Sequence, residues 1–208
     1  MIFCLRNINV IKIIFIIFFF SYVKNLSAAD FSLEFDRLTT SEYVEVPFAA
    51  SMNPTGDFSV NAWVKAGSSN NWQSVVTSRS ADTACGADNN RTKGYMLYIQ
   101  PDEEWSFWNG RCGVNKWAQI NTTEEVNLNT WQMQTVTYDA SATTMRLYVD
   151  GVEIGDNSED TLTANTNRPL RIGAGATNLD TPQFWFNGKI DEVAIWSSTL
   201  SAEEITQL

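Results

Sequence analysis

The 208-residue chain carries 24 acidic residues, 14 basic residues and no histidine, for a net charge of −10. Nucleic acid is therefore disfavoured as a partner, because phosphate binding needs a basic surface. The lack of histidine excludes a serine–histidine–aspartate catalytic triad. The length suits one sandwich domain and gives no reason to expect two.

Residues 1–29 are predicted to be a secretory signal peptide. Two basic residues precede an apolar run from Ile13 to Phe20, and small residues follow up to a cleavage site after Ala29. The apolar run is shorter than the ~20 residues that span a bilayer. We therefore expect a secreted protein, extracellular or periplasmic, whose folded domain covers residues 30–208 without a membrane span. Cleavage removes three basic residues and no acidic one, which changes the net charge from −10 to −13.

The first half of the predicted domain is a series of β-strands, in which apolar and polar residues alternate. Along one of these strands, Trp105 and Phe107 face one way and Trp108 the other, so at least one large ring must lie off the core face. The predicted strands cover Tyr43–Val46, Phe58–Lys65, Trp72–Ser78, Gly94–Ile99, Glu104–Trp108 and Trp117–Ile120, and a loop is predicted over Thr122–Asn129.

A long polar loop is predicted between Ser80 and Lys93. It contains Cys85, and Cys112 is the only other cysteine after the predicted cleavage site. Export into an oxidising compartment would join the two cysteines. A loop of this length is often functional, although a disulfide that orders it explains it equally well.

A β-hairpin is predicted between Thr130 and Ile154. The alternating sets on its two arms are Gln134, Val136 and Tyr138, then Met145, Leu147 and Val149. Asp150-Gly151 predicts a type I′ turn, since Gly adopts positive φ without strain. Further strands are predicted over Leu170–Ile172, Phe184–Ile190 and Val193–Trp196, and Ser201–Glu204 is a capping box for a short helix.

Three stretches resemble the laminin-G-like family of concanavalin A-like domains. They are Phe31–Gly67 with the motifs FD, YVEVP and AWVK, Thr130–Ile154 with TYD and LYVDG, and Phe186–Ile205 with NGKIDEV and LSAEEI. Gln132 and Met133 stand where the family has two histidines. The resemblance implies an all-β, antiparallel two-sheet jelly-roll sandwich, as in lectins and pentraxins, with a short C-terminal helix. It also implies a secreted, non-catalytic recognition module that binds a glycan or an extracellular protein partner.

Two other functions remain open at this point. One is a structural or adhesive surface protein without a small ligand. The other is a divergent carbohydrate-active enzyme, either a glycoside hydrolase or a lyase. A glycosidase needs two carboxylates roughly 5–10 Å apart, whereas the adjacent pairs Glu103-Glu104 and Asp191-Glu192 are expected to point to opposite faces of their strands. We therefore expect that the protein is not an enzyme.

The predicted ligand-binding residues are Trp105, Trp108, Asn109 and Arg111. A disulfide at Cys112 would tie the end of their strand to the preceding long loop and make a rigid rim. An aromatic ring, an amide and a guanidinium group suit hydroxyl-rich or anionic sugars, and pre-ordering lowers the entropy cost of binding. We expect Trp108→Ala to abolish glycan binding with little change in melting temperature.

The family resemblance also implies a structural Ca²⁺ ion at Asp36 or Asp191, although either carboxylate could instead accept hydrogen bonds in a turn. If calcium is bound, EDTA should lower the melting temperature and excess Ca²⁺ should restore it. The physical reason is that any ligand of the folded state stabilises that state by mass action. Melting curves that neither treatment changes would contradict the calcium prediction.

Overall fold

A computed structural model describes residues 10–12, 32–68, 70–80, 83–86, 92–113, 117–158, 161–177 and 180–208. Its strands are β1 (Val10–Lys12), β2 (Leu33–Phe35), β3 (Val44–Val46), β4 (Phe58–Ala66), β5 (Gln73–Ser80), β6 (Lys93–Ile99), β7 (Glu104–Asn109), β8 (Ala118–Glu125), β9 (Gln132–Asp139), β10 (Thr144–Val149), β11 (Val152–Ser158), β12 (Leu170–Ile172), β13 (Gly175–Ala176), β14 (Pro182–Gln183) and β15 (Gly188–Trp196). The helix α1 (Ala202–Ile205) follows, and short 3-10 helices lie at Ala50–Met52 and Thr83–Cys85.

Two antiparallel sheets face each other across the core. In the part of the chain that the structure describes, the first sheet has the order β1-β15-β4-β9-β10-β11, with β2 also paired to β15. The second sheet has the order β3-β12-β5-β6-β7-β8, and β13 and β14 form a small hairpin. This architecture confirms the predicted antiparallel two-sheet sandwich.

The predicted signal peptide lies mostly outside the described residues. Only β1 falls within it, and β1 pairs with the end of β15. The division of the chain at Ala29 therefore stays a prediction. None of the helices in the described ranges is long and apolar enough to cross a membrane.

The core forms because alternate residues of each strand point between the sheets. On β7, Trp105 and Phe107 point inward and are fully buried, whereas Trp108 points outward and is half-buried. Val136 and Leu147, which lie opposite each other on β9 and β10, belong to the same core. The predicted alternation on these strands is confirmed.

The turn between β10 and β11 has the predicted geometry. Asp150 has a φ of 50° and Gly151 a φ of 79°, so both central residues are left-handed, as a type I′ turn requires. The Asp150 carboxylate accepts a hydrogen bond from the backbone N–H of Met133 at 2.8 Å. The turn is therefore also held to the neighbouring strand β9.

Two predicted boundaries were wrong. The loop predicted over Thr122–Asn129 is strand as far as Glu125, where β8 still pairs with β7. The strand predicted over Phe184–Ile190 begins only at Gly188. Phe184 has a φ of 58°, which interrupts an extended chain although the alternation of side chains continues through it. A left-handed residue of this kind leaves no mark in the apolar pattern.

The C-terminal segment covers part of the outer face of the first sheet. Ser201 and Glu204 form the predicted capping box, in which each side chain accepts the other residue's backbone N–H. Leu200 and Ile205 then pack with Trp196 on that face. The two sheets consequently differ in how much of their outer faces is open.

The predicted disulfide between Cys85 and Cys112 is present, with the two Cα atoms 4.9 Å apart. It connects the 3-10 helix after β5 to the turn after β7. Thr163 accepts the Cys112 N–H at 3.1 Å, and its own N–H donates to the Gly110 carbonyl at 2.8 Å. The end of β7 is thus fixed by one covalent and two hydrogen-bonded connections.

A buried polar network orders the loop before β12. The Asn165 side-chain amide donates to Asn53 Oδ1 at 3.2 Å and to the Arg168 carbonyl at 2.8 Å, and Ser78 also donates to Asn53 Oδ1. Buried polar groups are costly unless they are hydrogen-bonded. This loop therefore has a defined conformation and holds Arg168 beside the second sheet.

Replacing both Cys85 and Cys112 with serine removes a cross-link between residues 27 positions apart. We expect the free energy of unfolding to fall by roughly 3–4 kcal/mol, since the unfolded chain regains the entropy of an open loop. Urea denaturation of the two proteins measures the difference. Free thiols at both positions in the purified, non-reduced protein would contradict the bonded pair.

Candidate functional site

An aromatic cleft lies on the outer face of the second sheet. Its volume is about 350 Å³. Its lining includes Trp72, Arg79, Tyr98, Trp108, Trp117 and Phe184. We call this feature the aromatic cleft.

The register of the central strands builds the floor of the cleft. Thr77 on β5 lies opposite Met96 on β6, and Met96 lies opposite Trp108 on β7. Directly opposite residues of neighbouring strands share a face, so these side chains all point away from the core. Tyr98 shares this face because it lies two residues along from Met96.

Aromatic contacts fix the rings of the cleft. Trp108 lies 5.2 Å from Trp72 and 5.4 Å from Tyr98, both edge-to-face, and 6.3 Å from Trp117 in a tilted arrangement (centroid distances). The Trp108 indole N–H donates to Ser106 Oγ at 2.9 Å. Edge-to-face pairs of this kind are each worth about 0.5–1.5 kcal/mol beyond burial. The rings are therefore ordered before any ligand arrives.

Arg79 supplies a cation at the edge of the aromatic rings. Its guanidinium carbon lies 5.0 Å from the centroid of Trp117, within cation–π distance, and its Nη1 donates to the Ala176 carbonyl. Arg79 pairs in register with Gly94. Gly94 has a φ of 87°, and a Cβ there would come within 1.7 Å of the Ser78 carbonyl oxygen. Glycine is therefore required at this position.

The β13–β14 hairpin forms one wall of the cleft. Phe184, just after β14, packs edge-to-face on Tyr98 with the centroids 5.8 Å apart. The Ser74 N–H donates to the Phe184 carbonyl at 2.8 Å, which ties the wall to β5. The polar side chains of Thr177 and Gln183 also line the cleft. The cleft thus combines flat apolar rings with hydrogen-bonding groups at its edge.

Of the four predicted ligand-binding residues, the structure brings only Trp108 to this cleft. Trp105 and Asn109 are fully buried on the inner face of β7, because residues of odd and even number alternate along the strand. Arg111 is half-buried beside Thr92, with which its backbone is hydrogen-bonded, and it does not line the cleft. These residues therefore do not form the predicted rim around Trp108. The role of Trp108 in ligand binding stays a prediction.

Sequence reasoning missed Arg79 and grouped none of the other aromatic residues with Trp108. The predicted strand ended at Ser78, although the alternation that puts Thr77 on the outer face puts Arg79 there as well. Trp72 and Trp117 were recognisable only as tryptophans outside the core pattern. Their convergence depends on the pairing of β5, β6, β7 and β8, which no local pattern specifies.

A second cleft of about 540 Å³ lies on the outer face of the first sheet, between β4 and β15. Its lining includes Trp63, Lys65, Trp131, Lys189, Asp191 and Glu192. A β-bulge between Asp191 and Ala194, with Glu192 at a φ of 45°, brings both carboxylates to this cleft. The expectation that Asp191 and Glu192 point to opposite faces was therefore wrong, because a bulge suspends the alternation.

The two carboxylates proposed for calcium are engaged in local hydrogen bonds. Asp36 accepts the N–H groups of Leu38 and Thr39 and the Thr39 hydroxyl at 2.8, 3.2 and 2.6 Å. The Thr39 hydroxyl and the Leu38 N–H hold the pKa of Asp36 below its usual value. Asp191 accepts the Glu192 N–H at 2.8 Å. Across the described residues, no three acidic, cysteine or histidine side chains form a cluster that could hold a metal ion. The structural calcium ion stays a prediction.

Comparison with known families identifies the fold family. Residues 38–206 match the family described as the concanavalin A-like lectin/glucanases superfamily. The chain belongs to this family. The laminin-G-like resemblance is thereby confirmed. A comparison with proteins of curated function gave no match.

Several solved structures have the same β-sandwich fold as this chain, although their sequence identity to it is low. The CBM40 of Ruminococcus gnavus IT-sialidase, bound to α2,3-sialyllactose, is 15% identical with a TM-score of 0.66, over 85% of this chain and 96% of that one. The ligand-binding domain of botulinum neurotoxin serotype D, in complex with N-acetylneuraminic acid, is 17% identical with a TM-score of 0.60, over 80% of this chain and 39% of that one. A heptameric SAP-like pentraxin from Limulus polyphemus is 12% identical with a TM-score of 0.55, over 84% and 78%. At these identities the likeness establishes the fold alone.

Trp105 and Trp108 form a matched pair for separating core from cleft. Trp105→Ala should lower the free energy of unfolding by about 3–5 kcal/mol, because it empties a fully buried site. Trp108→Ala should cost about 1–2 kcal/mol, since it loses ring contacts on a half-buried face. Because of these contacts, we no longer expect Trp108→Ala to leave the melting temperature nearly unchanged. Equal losses in urea denaturation would contradict the assignment of Trp108 to the cleft.

Proposed function

We propose that this protein is a secreted, non-catalytic carbohydrate-binding module whose ligand lies in the aromatic cleft. The observation that carries the proposal is the set of pre-ordered rings around Trp108. Trp72 just before β5, Tyr98 on β6 and Trp117 just before β8 all contact it. A sugar ring presents apolar C–H groups on its faces, and these pack on the flat face of an exposed indole.

The polar groups of the cleft complement this surface. Thr177 and Gln183 can both donate to and accept from sugar hydroxyl groups. Ligand pockets commonly measure about 300–1,000 Å³, and a cleft of about 350 Å³ suits a short saccharide segment. The shared fold of modules that bind sialyllactose and N-acetylneuraminic acid supports the same class of ligand.

The aromatic cleft favours binding over hydrolysis. No aspartate or glutamate is among the described residues that line it, whereas hydrolysis of a glycosidic bond needs two carboxylates that flank the bond. The enzyme alternative rests instead on Asp191 and Glu192 in the second cleft, beside Trp63 and Trp131. Release of reducing sugar from polysaccharide by the wild type, and its loss in Asp191→Asn, would favour that alternative.

A glycan array with the full-length mature protein tests the binding function. We expect Trp108→Ala and Trp117→Ala each to weaken binding by about tenfold or more, because each removes a stacking surface. Trp131→Ala is the matched control, since it removes a half-buried tryptophan from the opposite sheet. It should leave binding within about twofold of the wild type.

Two results would overturn this assignment. Loss of binding in Trp131→Ala together with full binding in Trp108→Ala would move the site to the second cleft. A correctly folded wild type that binds no glycan would favour the structural or adhesive alternative.

A further inference from the structure

We propose that Phe184 contacts the ligand and makes the aromatic cleft specific for soluble glycan chains, an inference that rests on the proposed carbohydrate-binding function. A sugar residue that projects from such a chain lies between the rings of Phe184 and Trp108. The flat surface of an insoluble polysaccharide, such as cellulose or chitin, is excluded. The angles between the rings and the backbone conformation of Phe184 both favour this arrangement.

The contacting rings of the cleft do not form a flat platform. Trp72, Tyr98 and Trp108 contact one another in pairs, and their planes meet at angles of 69°, 71° and 79°. At most one of three rings inclined so steeply can lie flat against any one surface. Binding to the face of a crystalline polysaccharide needs several coplanar rings, because that face is itself flat. A sugar residue that projects from a soluble chain has no such requirement.

Phe184 and Trp108 each pack against Tyr98. The Phe184 ring stands at 83° to Tyr98 with the centroids 5.8 Å apart, and the Trp108 ring stands at 79° and 5.4 Å. The Phe184 carbonyl is bonded to β5 and Trp108 lies on β7, whereas Tyr98 lies on β6 between these strands. Tyr98 is 3% exposed, and Phe184 and Trp108 are half-buried. A ligand therefore meets the two outer rings rather than Tyr98.

The backbone conformation of Phe184 is rare for a bulky residue. Its φ of 58° is left-handed, which is unfavourable for any residue with a large side chain. In an unbroken strand, Phe184 and Phe186 would point to the same face. Phe186 is instead buried in the core while Phe184 lines the outer cleft. The left-handed residue thus turns the Phe184 ring towards the cleft, and strained conformations of this kind are frequent at ligand sites.

A glycine on β13 leaves room for the same ring. A Cβ at Gly175 would come within 3.0 Å of Phe184 Cδ2 and within 3.3 Å of the Tyr98 hydroxyl oxygen. The backbone of Gly175 is not left-handed, so the space it leaves, and not its conformation, explains the glycine. Two separate features of the chain therefore place the Phe184 ring.

Burial in the core does not offset the strain at Phe184. The residue belongs to neither hydrophobic cluster, and within the described part of the chain Tyr98 is its one ring contact. The next residue, Trp185, contacts Tyr43 with the centroids 5.5 Å apart and does not line the cleft. A contact with ligand gives the placement of the Phe184 ring a function that packing does not.

The first measurement compares glycine and alanine at position 184 by urea denaturation. Glycine adopts a positive φ without strain, so Phe184→Gly should unfold at a higher urea concentration than Phe184→Ala, the reverse of the usual order. Trp185 is the matched control, because it is a half-buried aromatic residue without a positive φ. There Trp185→Ala should be the more stable variant. The usual order at position 184 would overturn the strained placement of the ring.

The second measurement is binding by the folded wild type and the same variants. The soluble probes are 3′-sialyllactose and whichever glycan gives the strongest signal on the array, titrated by calorimetry. The insoluble probes are microcrystalline cellulose and chitin, tested by co-sedimentation. We expect the wild type to bind a soluble glycan and to stay in the supernatant with both solids. Phe184→Gly and Phe184→Ala should each weaken soluble binding by about tenfold or more, and Trp185→Ala should stay within about twofold of the wild type.

Gly175→Ala keeps the test decisive if neither variant at position 184 folds. Its added methyl group crowds the Phe184 ring without removing it. We expect soluble binding to weaken by about threefold or more, because the ring must shift to make room. Unchanged binding in this variant would contradict the contact between Phe184 and the ligand.

The outcomes separate this inference from the function on which it rests. Co-sedimentation of the wild type with cellulose or chitin would overturn the selectivity for soluble chains, and its loss in Trp108→Ala would leave carbohydrate binding in the cleft intact. Soluble binding that both Phe184 variants leave unchanged would overturn the role of Phe184 alone. No binding of any sugar, soluble or insoluble, by the folded wild type would overturn both the inference and the proposed function.

Discussion

The inward packing of Trp105 and Phe107 between the two sheets determines where the functional side chains of the second sheet lie. Both rings are fully buried, and the side chains of a strand alternate between its faces. A register shift of one residue would bury Trp108 and expose the two core rings, so the core strongly disfavours it. The position of Trp108 on the surface is thus a consequence of the inward packing of the residues three and one positions before it on the same strand.

The same constraint acts on the neighbouring strands. Tyr95 and Leu97 of β6 are buried in the core, which leaves Met96 and Tyr98 on the outer face. Because β6 lies between β5 and β7, the outward residues of three strands form one continuous surface. Gly94 lies opposite Arg79 in this register, and its left-handed backbone leaves no room for a side chain.

Loops hold the cleft in one conformation from several sides. The disulfide and Thr163 fix the end of β7, the Asn165 network fixes the loop before β12, and the Phe184 carbonyl binds the backbone of β5. Of the residues that form these restraints, only Phe184 is among the described residues that line the cleft. A binding surface ordered in this way loses little conformational entropy when a ligand arrives.

The sequence by itself determined the strand faces, the type I′ turn at Asp150-Gly151, the capping box and the family. Each of these depends on a short-range rule, such as the two-residue period of a strand or the positive φ of a turn. Trp105 and Trp108 were therefore placed on opposite faces correctly. The same period, applied one residue further, would have placed Asn109 in the core.

Only the tertiary structure decided which residues meet. Arg79, Trp108 and Trp117 come together because β5, β6, β7 and β8 pair in one particular register, and that register is set by contacts between residues far apart in sequence. Phe184 and Glu192 depart from the predicted pattern because left-handed backbone conformations break the strand period. Local alternation is a property of the backbone and is visible in the sequence, whereas convergence on a site depends on long-range packing and had to be observed.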